Sequence, residues 1–210
     1  MPADDLRPNP ATPDLPARSR YKARLALALL VVVVAVGGAV WWHKTRPYHL
    51  RVCDPGVLYR SGRLEPAVLT AVIGDYGIKT VVNLKSTREN AAPWHDVEVQ
   101  TTEAAGARHL DIAMEPDTPP TPAQVDAWLS LFADPARTPV LVHCQHGVIR
   151  TGMLVAVYEM EFEGKDGAQA LADMVSFGHD LSSQARAPMR DFVRTYTPRT
   201  GPRTGGRAPR

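Results

Sequence analysis

The longest uninterrupted apolar run in the chain is LALALLVVVVAVGGAVWW, Leu25 to Trp42, eighteen residues without a charge. That is about the minimum length that spans the hydrocarbon core of a bilayer as a helix. No polar face breaks the run, which argues against a helix in the core of a globular domain, so the pattern predicts one transmembrane helix over residues 25–42. A cleaved signal peptide is the alternative, but its apolar region is usually about 7–15 residues and is followed by small residues. Here Trp41 and Trp42 stand at that position. Arg18, Arg20, Lys22 and Arg24 precede the run, and Lys44, Arg46 and Arg51 follow it. Four positive charges against three are a small bias toward an N-terminus in the cytoplasm, which leaves the opposite orientation open. The expected location is an inner or plasma membrane crossed once, with the catalytic domain outside the cytoplasm as the favoured side and the cytoplasmic side as the alternative.

From Arg51 to Thr197 the apolar positions switch between the strand and helix periods, the sign of a layered α/β domain. GVLYRSG (56–62), IKTVVNLK (78–85), ARHLDIAM (107–114) and TPVLVHC (138–144) read as strands. The last of these is a short continuous apolar run, as expected at the centre of a sheet. Pro66 opens a helix, PAVLTAVIGDYG, that Gly77 can close. Residues 88–105 form a polar, weakly helical segment interrupted by Pro93, and MEPDTPPTP (114–122) is too rich in proline for regular structure. Pro122 starts the helix AQVDAWLSLFAD (123–134), a further helix runs from Thr151 to Gly164, and helical stretches occupy 166–176 and 184–196. The folded domain is assigned residues 48–197. Residues 1–24 are expected to be a disordered, proline-rich and basic segment, since the first seventeen residues hold five prolines and almost no periodic apolar pattern. Residues 198–210 are expected to be a disordered basic tail; it reads as a solvated end, with a phosphate or lipid head group as the alternative partner.

A net charge of +2 over 210 residues, with no basic stripe interleaved with aromatics, gives no reason to expect a nucleic-acid partner. Two cysteines, Cys53 and Cys144, lie far apart and form no C-x-x-C pair, so neither a disulfide framework nor a cysteine-rich zinc site is indicated.

One of the two cysteines sits in VLVHCQHGVIRTG, Val140 to Gly152, where an apolar strand runs into a turn and then a helix. That junction is the usual place for an anion site in an open α/β sheet. Backbone N–H groups of Gln145, His146, Gly147, Val148, Ile149 and Arg150 can curl around a tetrahedral anion, and Gly147 permits geometry that a side chain would obstruct. Arg150 can add a planar two-pronged donor. Helix-terminus polarity and a guanidinium both favour thiolate over thiol, which makes Cys144 a nucleophile at neutral pH. A bound phosphate monoester would then present its phosphorus to the sulfur, giving a phosphocysteine intermediate while the loop and Arg150 stabilise the equatorial oxygens. Thr151 can hydrogen-bond the sulfur and make it a better leaving group, and His143 can position the loop from behind. His146 can add positive charge. A metal held by His143, Cys144 and His146 would need a further ligand, and no spaced partner is present.

At these residues the chain resembles the cysteine-dependent protein tyrosine phosphatase superfamily, whose H-C-x5-R-[S/T] signature is matched by His143, Cys144, Arg150 and Thr151. It is most similar to small bacterial dual-specificity phosphatases, which share an H-C-x-H-G-x-x-R-T-G loop and a strand like LYRSG, here Leu58 to Gly62. The resemblance covers roughly residues 50–180. It implies a central four- or five-stranded, mainly parallel sheet flanked by helices, no metal or cofactor, and hydrolysis of phosphate monoesters. Members usually carry a general acid on a loop some thirty residues before the cysteine. Asp117, in EPDTPP, is the preferred candidate; Asp111, Glu115 and the absence of a dedicated acid are the alternatives.

The predicted function is therefore a membrane-anchored phosphatase for phosphotyrosine, extending to phosphoserine and phosphothreonine, with a phosphorylated protein or a small phosphate ester as partner. Inositol phosphates and phosphoinositides are alternative substrates, for which the loop offers only His146 and Arg150 as positive groups. A rhodanese-like sulfurtransferase and a catalytically inactive phosphate-binding module are alternatives of other classes. Arg60 and Lys85 can border the pocket, though charged groups at strand ends are more often solvated. Cys53 reads as structural, with a redox bridge to Cys144 as the alternative. A thiolate nucleophile favours a reducing compartment, in tension with a domain outside the cytoplasm.

Overall fold

In the computed structural model, which describes residues 17–199, five strands of four residues each form one sheet. They are β1 (Arg51–Asp54), β2 (Leu58–Ser61), β3 (Thr80–Asn83), β4 (Arg108–Asp111) and β5 (Val140–His143). Their order across the sheet is β1-β2-β5-β3-β4. β2, β5, β3 and β4 are parallel, and β1 adds to β2 as an antiparallel edge. The expected mainly parallel sheet is therefore present, with the apolar segment ending at His143 in its middle. β1 was not legible as a strand: two of its residues are exposed and two half-buried, so no apolar alternation marks it.

Period-two alternation distributes the strand residues over two cores. Leu58, Val82, Val140 and Val142 face one side, while Tyr59, Val81 and Leu141 face the other. On the second side lies α2 (Pro66–Tyr76), contributing Leu69, Val72 and Ile73 and closed by Gly77 in the left-handed conformation at φ 61°. After α3 (Thr87–Asn90), a single turn, α4 (Trp94–Ala104) packs against α2 and β4. The first side is covered by α5 (Pro122–Ser130), α6 (Ile149–Tyr158), α7 (Gly167–Ser176) and α8 (Ala187–Thr195). Every residue of α6 from Arg150 to Tyr158 is buried, which makes α6 the central helix of that layer. It starts at Ile149, two residues before the expected Thr151.

The parallel register sets Ser61 beside His143, His143 beside Asn83, and Asn83 beside Asp111. Four polar residues thus end the four parallel strands in one row, and the loop that follows β5 leaves from the middle of that row.

Residues 1–45 and 46–210 are two separate units. In the first, α1 (Ala17–Thr45) is a 29-residue helix, so residues 17–24, expected to be disordered, are helical. Its described apolar side chains from Leu25 to Val36 are exposed. Among the described residues no helix is long and apolar enough to cross a membrane; side chains at 39–45 lie outside the description, and the described apolar run stops short of Trp42. The expected disordered segments at 1–16 and 200–210 lie outside the described residues. Arg199, expected in the tail, instead belongs to the domain: its N–H donates to Glu161 Oε1 at 2.8 Å and its guanidinium pairs with Asp126.

Because α6 is packed on all sides, truncating it is expected to be costly. Leu154→Ala should lower the stability of the domain by about 2–5 kcal/mol, whereas Val52→Ala on exposed β1 should change it by about 0.5 kcal/mol or less. Urea midpoints of the two variants, compared at equal m-value, check this.

Candidate active site

After His143 the chain leaves the sheet and turns through residues 144–148 into α6. Four successive carbonyls of this turn are held from outside. Gln145 O accepts from the Arg63 N–H at 3.2 Å, and His146 O from His49 Nδ1 at 2.8 Å. Gly147 O and Val148 O both accept from Arg60 Nη2, at 2.7 and 3.3 Å. A trans peptide is planar, with its N–H opposite its C=O. The N–H groups of His146, Gly147, Val148 and Ile149 each point away from the donor that holds the carbonyl of the same peptide, and the His146 N–H bonds the Cys144 sulfur. Gly147 has φ 68°, and a Cβ there would lie 2.2 Å from Ser61 O and 2.5 Å from Gly62 N. Only glycine allows the turn to lie this close to the end of β2.

Cys144 is 3 % exposed at the floor of this cup. Burial alone pushes its thiol up, but hydrogen bonds from the side chain and N–H of Thr151, the charge of Arg150 and the His146 N–H outweigh it and bring the thiol below its ordinary value. Thr151 Oγ1 is buried with no other group to bond, which leaves its hydroxyl available to the Cys144 sulfur. Cys53 shows the opposite balance: burial pushes its thiol up to about 12, and both cysteines are free thiols.

Arg150 is held in place by the acidic end of α3. Its Nη1 donates to Glu89 Oε2 at 2.5 Å and its Nη2 to Glu89 Oε1 at 3.1 Å, and Nη1 also reaches Met114 O at 3.2 Å. Glu89 is at the same time half of a capping box with Ser86, whose N–H donates to Oε2 at 2.8 Å. Burial raises the Glu89 carboxyl, and the bonds from Arg150 and Ser86 more than reverse this, holding it at about 2. The guanidinium is thereby fixed in plane before any anion arrives.

His143 lies behind the cup, 2 % exposed. Its Nε2 bonds Glu98 Oε1 at 3.1 Å, and the same oxygen bonds His109 Nε2 at 3.2 Å. Glu98, raised by burial but lowered further by the two imidazoles, sits at about 2. Lys85 and Arg60, expected to be solvated, are each 5 % exposed. Lys85 Nζ donates to Gln145 Oε1 at 2.8 Å and lies 3.6 Å from the Trp94 ring centroid. Arg60 stacks on Phe177 at 3.7 Å and abuts His179, whose imidazole is pushed down to about 3, first by burial and then by the Arg60 charge. A Cβ on Gly152 would lie 2.3 Å from that imidazole, so the second glycine of the signature makes room for Arg60's neighbour.

A cavity of about 420 Å³ opens above Cys144, lined among others by Tyr48, His49, Asp117, His146, Arg150 and Arg186. Asp117 reaches it from an exposed loop in which its own φ is 56°. That loop is strung between Met114, tied to Leu84 O and Arg150, and Thr121, whose capping box with Gln124 opens α5. Neither of the other two candidate acids lines the cavity. Asp111 instead accepts from Asn83 at 2.7 Å and from Asn90 and His95 at 3.1 Å, and the Glu115 carbonyl accepts from Thr118 at 3.0 Å. His49, Arg60, Arg63, Glu89 and Glu98 were not singled out as shaping the site from sequence, except Arg60 as a bordering residue. Of these, Glu89 alone leaves a local sign, the S-x-x-E box at Ser86.

A thiol kept low at the floor of an N–H cup, a guanidinium beside it and a carboxyl in the facing loop define the class of cysteine-dependent phosphatases. Residues 57–190 match the family described as DSP-PTPase phosphatase fused to NAD+ kinase, and the chain belongs to that family. The dual specificity protein phosphatase TpbA of Pseudomonas aeruginosa is 28% identical over 163 residues, covering 72% of this chain and 70% of TpbA. The crystal structure of TpbA superposes with a TM-score of 0.52, covering 70% of this chain and 89% of that one. The core catalytic domain of the PP-IP phosphatase SIW14 from S. cerevisiae shares the fold, with a TM-score of 0.57 at 19% identity, covering 72% of this chain and 86% of that one. The protein is thus a cysteine-dependent phosphatase of the dual-specificity class.

Glu89→Gln preserves the shape of the cap but removes the charge that holds Arg150. Its expected effect is a roughly 10- to 100-fold loss of kcat/KM, through a misplaced guanidinium. The pair also links stability to pH. A carboxyl depressed from 4.5 to about 2 contributes stability that is fully present above about pH 4.5 and lost as pH falls toward 2. The Tm gap between wild type and the variant, measured from pH 7 to 2, should therefore close at the acid end.

Proposed function

We propose that the chain is a membrane-anchored phosphatase that hydrolyses phosphate monoesters, with phosphotyrosine foremost among them, through a phosphocysteine on Cys144. The observation that carries this reading is the common cavity of Cys144, Arg150 and Asp117. Three phosphate oxygens lie against the N–H groups of the cup and the Arg150 guanidinium, with phosphorus toward Cys144 Sγ. Sulfur attacks in line, the P–O bond to the leaving group breaks, and the departing oxygen takes the Asp117 proton, which avoids expelling a bare alkoxide. The Asp117 carboxylate then accepts a proton from water as it attacks the phosphocysteine. Thr151 donates to the departing thiolate, and inorganic phosphate is released. His143 is a positioning residue that seats the cup through Glu98.

The phosphotyrosine reading draws support from TpbA, a crystal structure of which contains phosphotyrosine at 28% identity to this chain. Inositol phosphates are a second reading, favoured by one observation: Arg186 lines the cavity and adds a cation beyond the loop. The sulfurtransferase and inactive-module readings give no role to an aspartate facing the cysteine. The anchoring part of the reading rests on the sequence alone, the uncharged apolar run from Leu25 to Trp42. Its flanking charges favour a catalytic domain outside the cytoplasm.

Hydrolysis of an aryl phosphate by wild type, Cys144→Ser and Asp117→Asn across pH tests the mechanism. Wild-type kcat/KM should rise with pH on an acid limb that lies below the ordinary thiol value of 9.0, because Cys144 is lowered. Cys144→Ser should abolish turnover. Asp117→Asn should lower it about 10²- to 10⁴-fold, with a smaller loss for substrates whose leaving group needs no protonation. Turnover that survives the serine change would sink the proposal. Protease applied to intact cells should cleave residues 46–199 if the domain faces outward; protection until the membrane is permeabilised would reverse the orientation, and release of the protein by high salt alone would remove the anchor.

A further inference from the structure

At the open edge of the sheet, outside the catalytic cavity, a second constellation assembles. His95 and Glu98 lie three residues apart on one face of α4, and His109 and Asp111 lie two apart on one face of β4. Packing α4 on β4 brings one potential ligand atom each from His95, His109 and Asp111 within 4.8 Å of one another. We infer that these three residues form a binding site for a first-row divalent transition ion of the zinc class, distinct from the phosphatase site.

Several observations converge on this. His95 Nε2 stands 3.0 Å from Asp111 Oδ2, a separation that suits two ligands of one ion at bond lengths of about 2.0–2.2 Å. The His95 and His109 rings meet edge to face with centroids 5.4 Å apart. The cluster also has the outer layer that ligating groups need to hold their orientation. Asp111 Oδ1 is pinned by Asn83 Nδ2 at 2.7 Å and Asn90 Nδ2 at 3.1 Å, and the His109 ring is pinned by Glu98 Oε1. The Asp111 side chain is 35% exposed while the His109 side chain is 4% exposed, so an ion has a solvent entry and a dry far wall. Two imidazoles and one carboxylate select zinc, cobalt or nickel over magnesium and calcium, which prefer oxygen ligands throughout. Three protein ligands leave a position for water. Sequence spacing hides the set, because its ligands come from a helix and a strand that meet only in the fold.

The test is titration of the untagged full chain carrying Cys144→Ser, which removes the thiolate as a rival ligand, with Co²⁺ followed by visible absorption and Zn²⁺ followed by calorimetry. The expected result at pH 7.5 is one ion per chain with a dissociation constant of about 10 μM or tighter. Asp111→Asn, which keeps the shape and the contact with Asn83, and His95→Ala should each weaken binding tenfold or more with circular dichroism unchanged. Zn²⁺ should also shift the ring resonances of His95 and His109 in the parent protein, a reading independent of any second substitution. Binding no tighter than about 1 mM, binding that both substitutions leave within about threefold, or resonance shifts confined to other histidines would each overturn the inference.

Discussion

The site depends on a restraint applied to its far side. A loop of free peptide groups presents donors and acceptors alike, and an anion would meet both. Here the carbonyls of Gln145, His146, Gly147 and Val148 are each taken by a donor of the surrounding structure. The planarity of the peptide then leaves only N–H groups on the inner face. Arg60 supplies two of these bonds from the middle of β2, so the strand that flanks β5 is also the loop's brace. Such donors are aimed before substrate arrives and need no reorganisation when charge develops, which is where electrostatic catalysis gains most.

Two carboxylates, Glu98 buried and Glu89 half-buried, do for the side chains what Arg60 does for the backbone. Glu89 fixes the plane of Arg150 from the first turn of α3, and Glu98 joins His143 to His109 from α4. Both carboxyls stay ionised because their partners outweigh the cost of burial. Each belongs to a helix on the margin of the sheet, so the precision of the centre is set by packing at the edge. Charges left unpartnered at these depths would be costly, which ties the integrity of the fold to the integrity of the site.

What could be read from the sequence was local. Cys144, Gly147, Arg150 and Thr151 fall within one short turn, and the apolar run ending at His143 announces a central strand, so the candidate nucleophile, the turn around it and the middle of the sheet were legible together. Asp117 was legible as a polar residue in a proline-rich loop, although only the fold separates it from Asp111 and Glu115. Residues acting across long sequence distances were not legible: His49 meets His146, Arg60 meets Gly147 and Glu89 meets Arg150 only after the strands are ordered. β1 was missed because an edge strand with two exposed positions carries too little pattern. Arg60 and Lys85 were weighed as solvated charges by their position at strand ends, and their burial follows from aromatic neighbours, Phe177 and Trp94, brought from elsewhere in the chain.

The full occupation of the loop's outer face has a consequence for how such an enzyme can diversify. An insertion within residues 145–148, or a side chain at Gly147, would shift the backbone and release carbonyls from their donors, so the path of the cup's main chain is closed to variation. The freedom to recognise different leaving groups resides instead on the rim, where Tyr48, His49, Asp180 and Arg186 approach from segments that carry no sheet register. Chemistry and selectivity are thereby housed in parts of the molecule that can drift independently, with His49, which both props the loop and faces the cavity, as the residue where the two constraints meet.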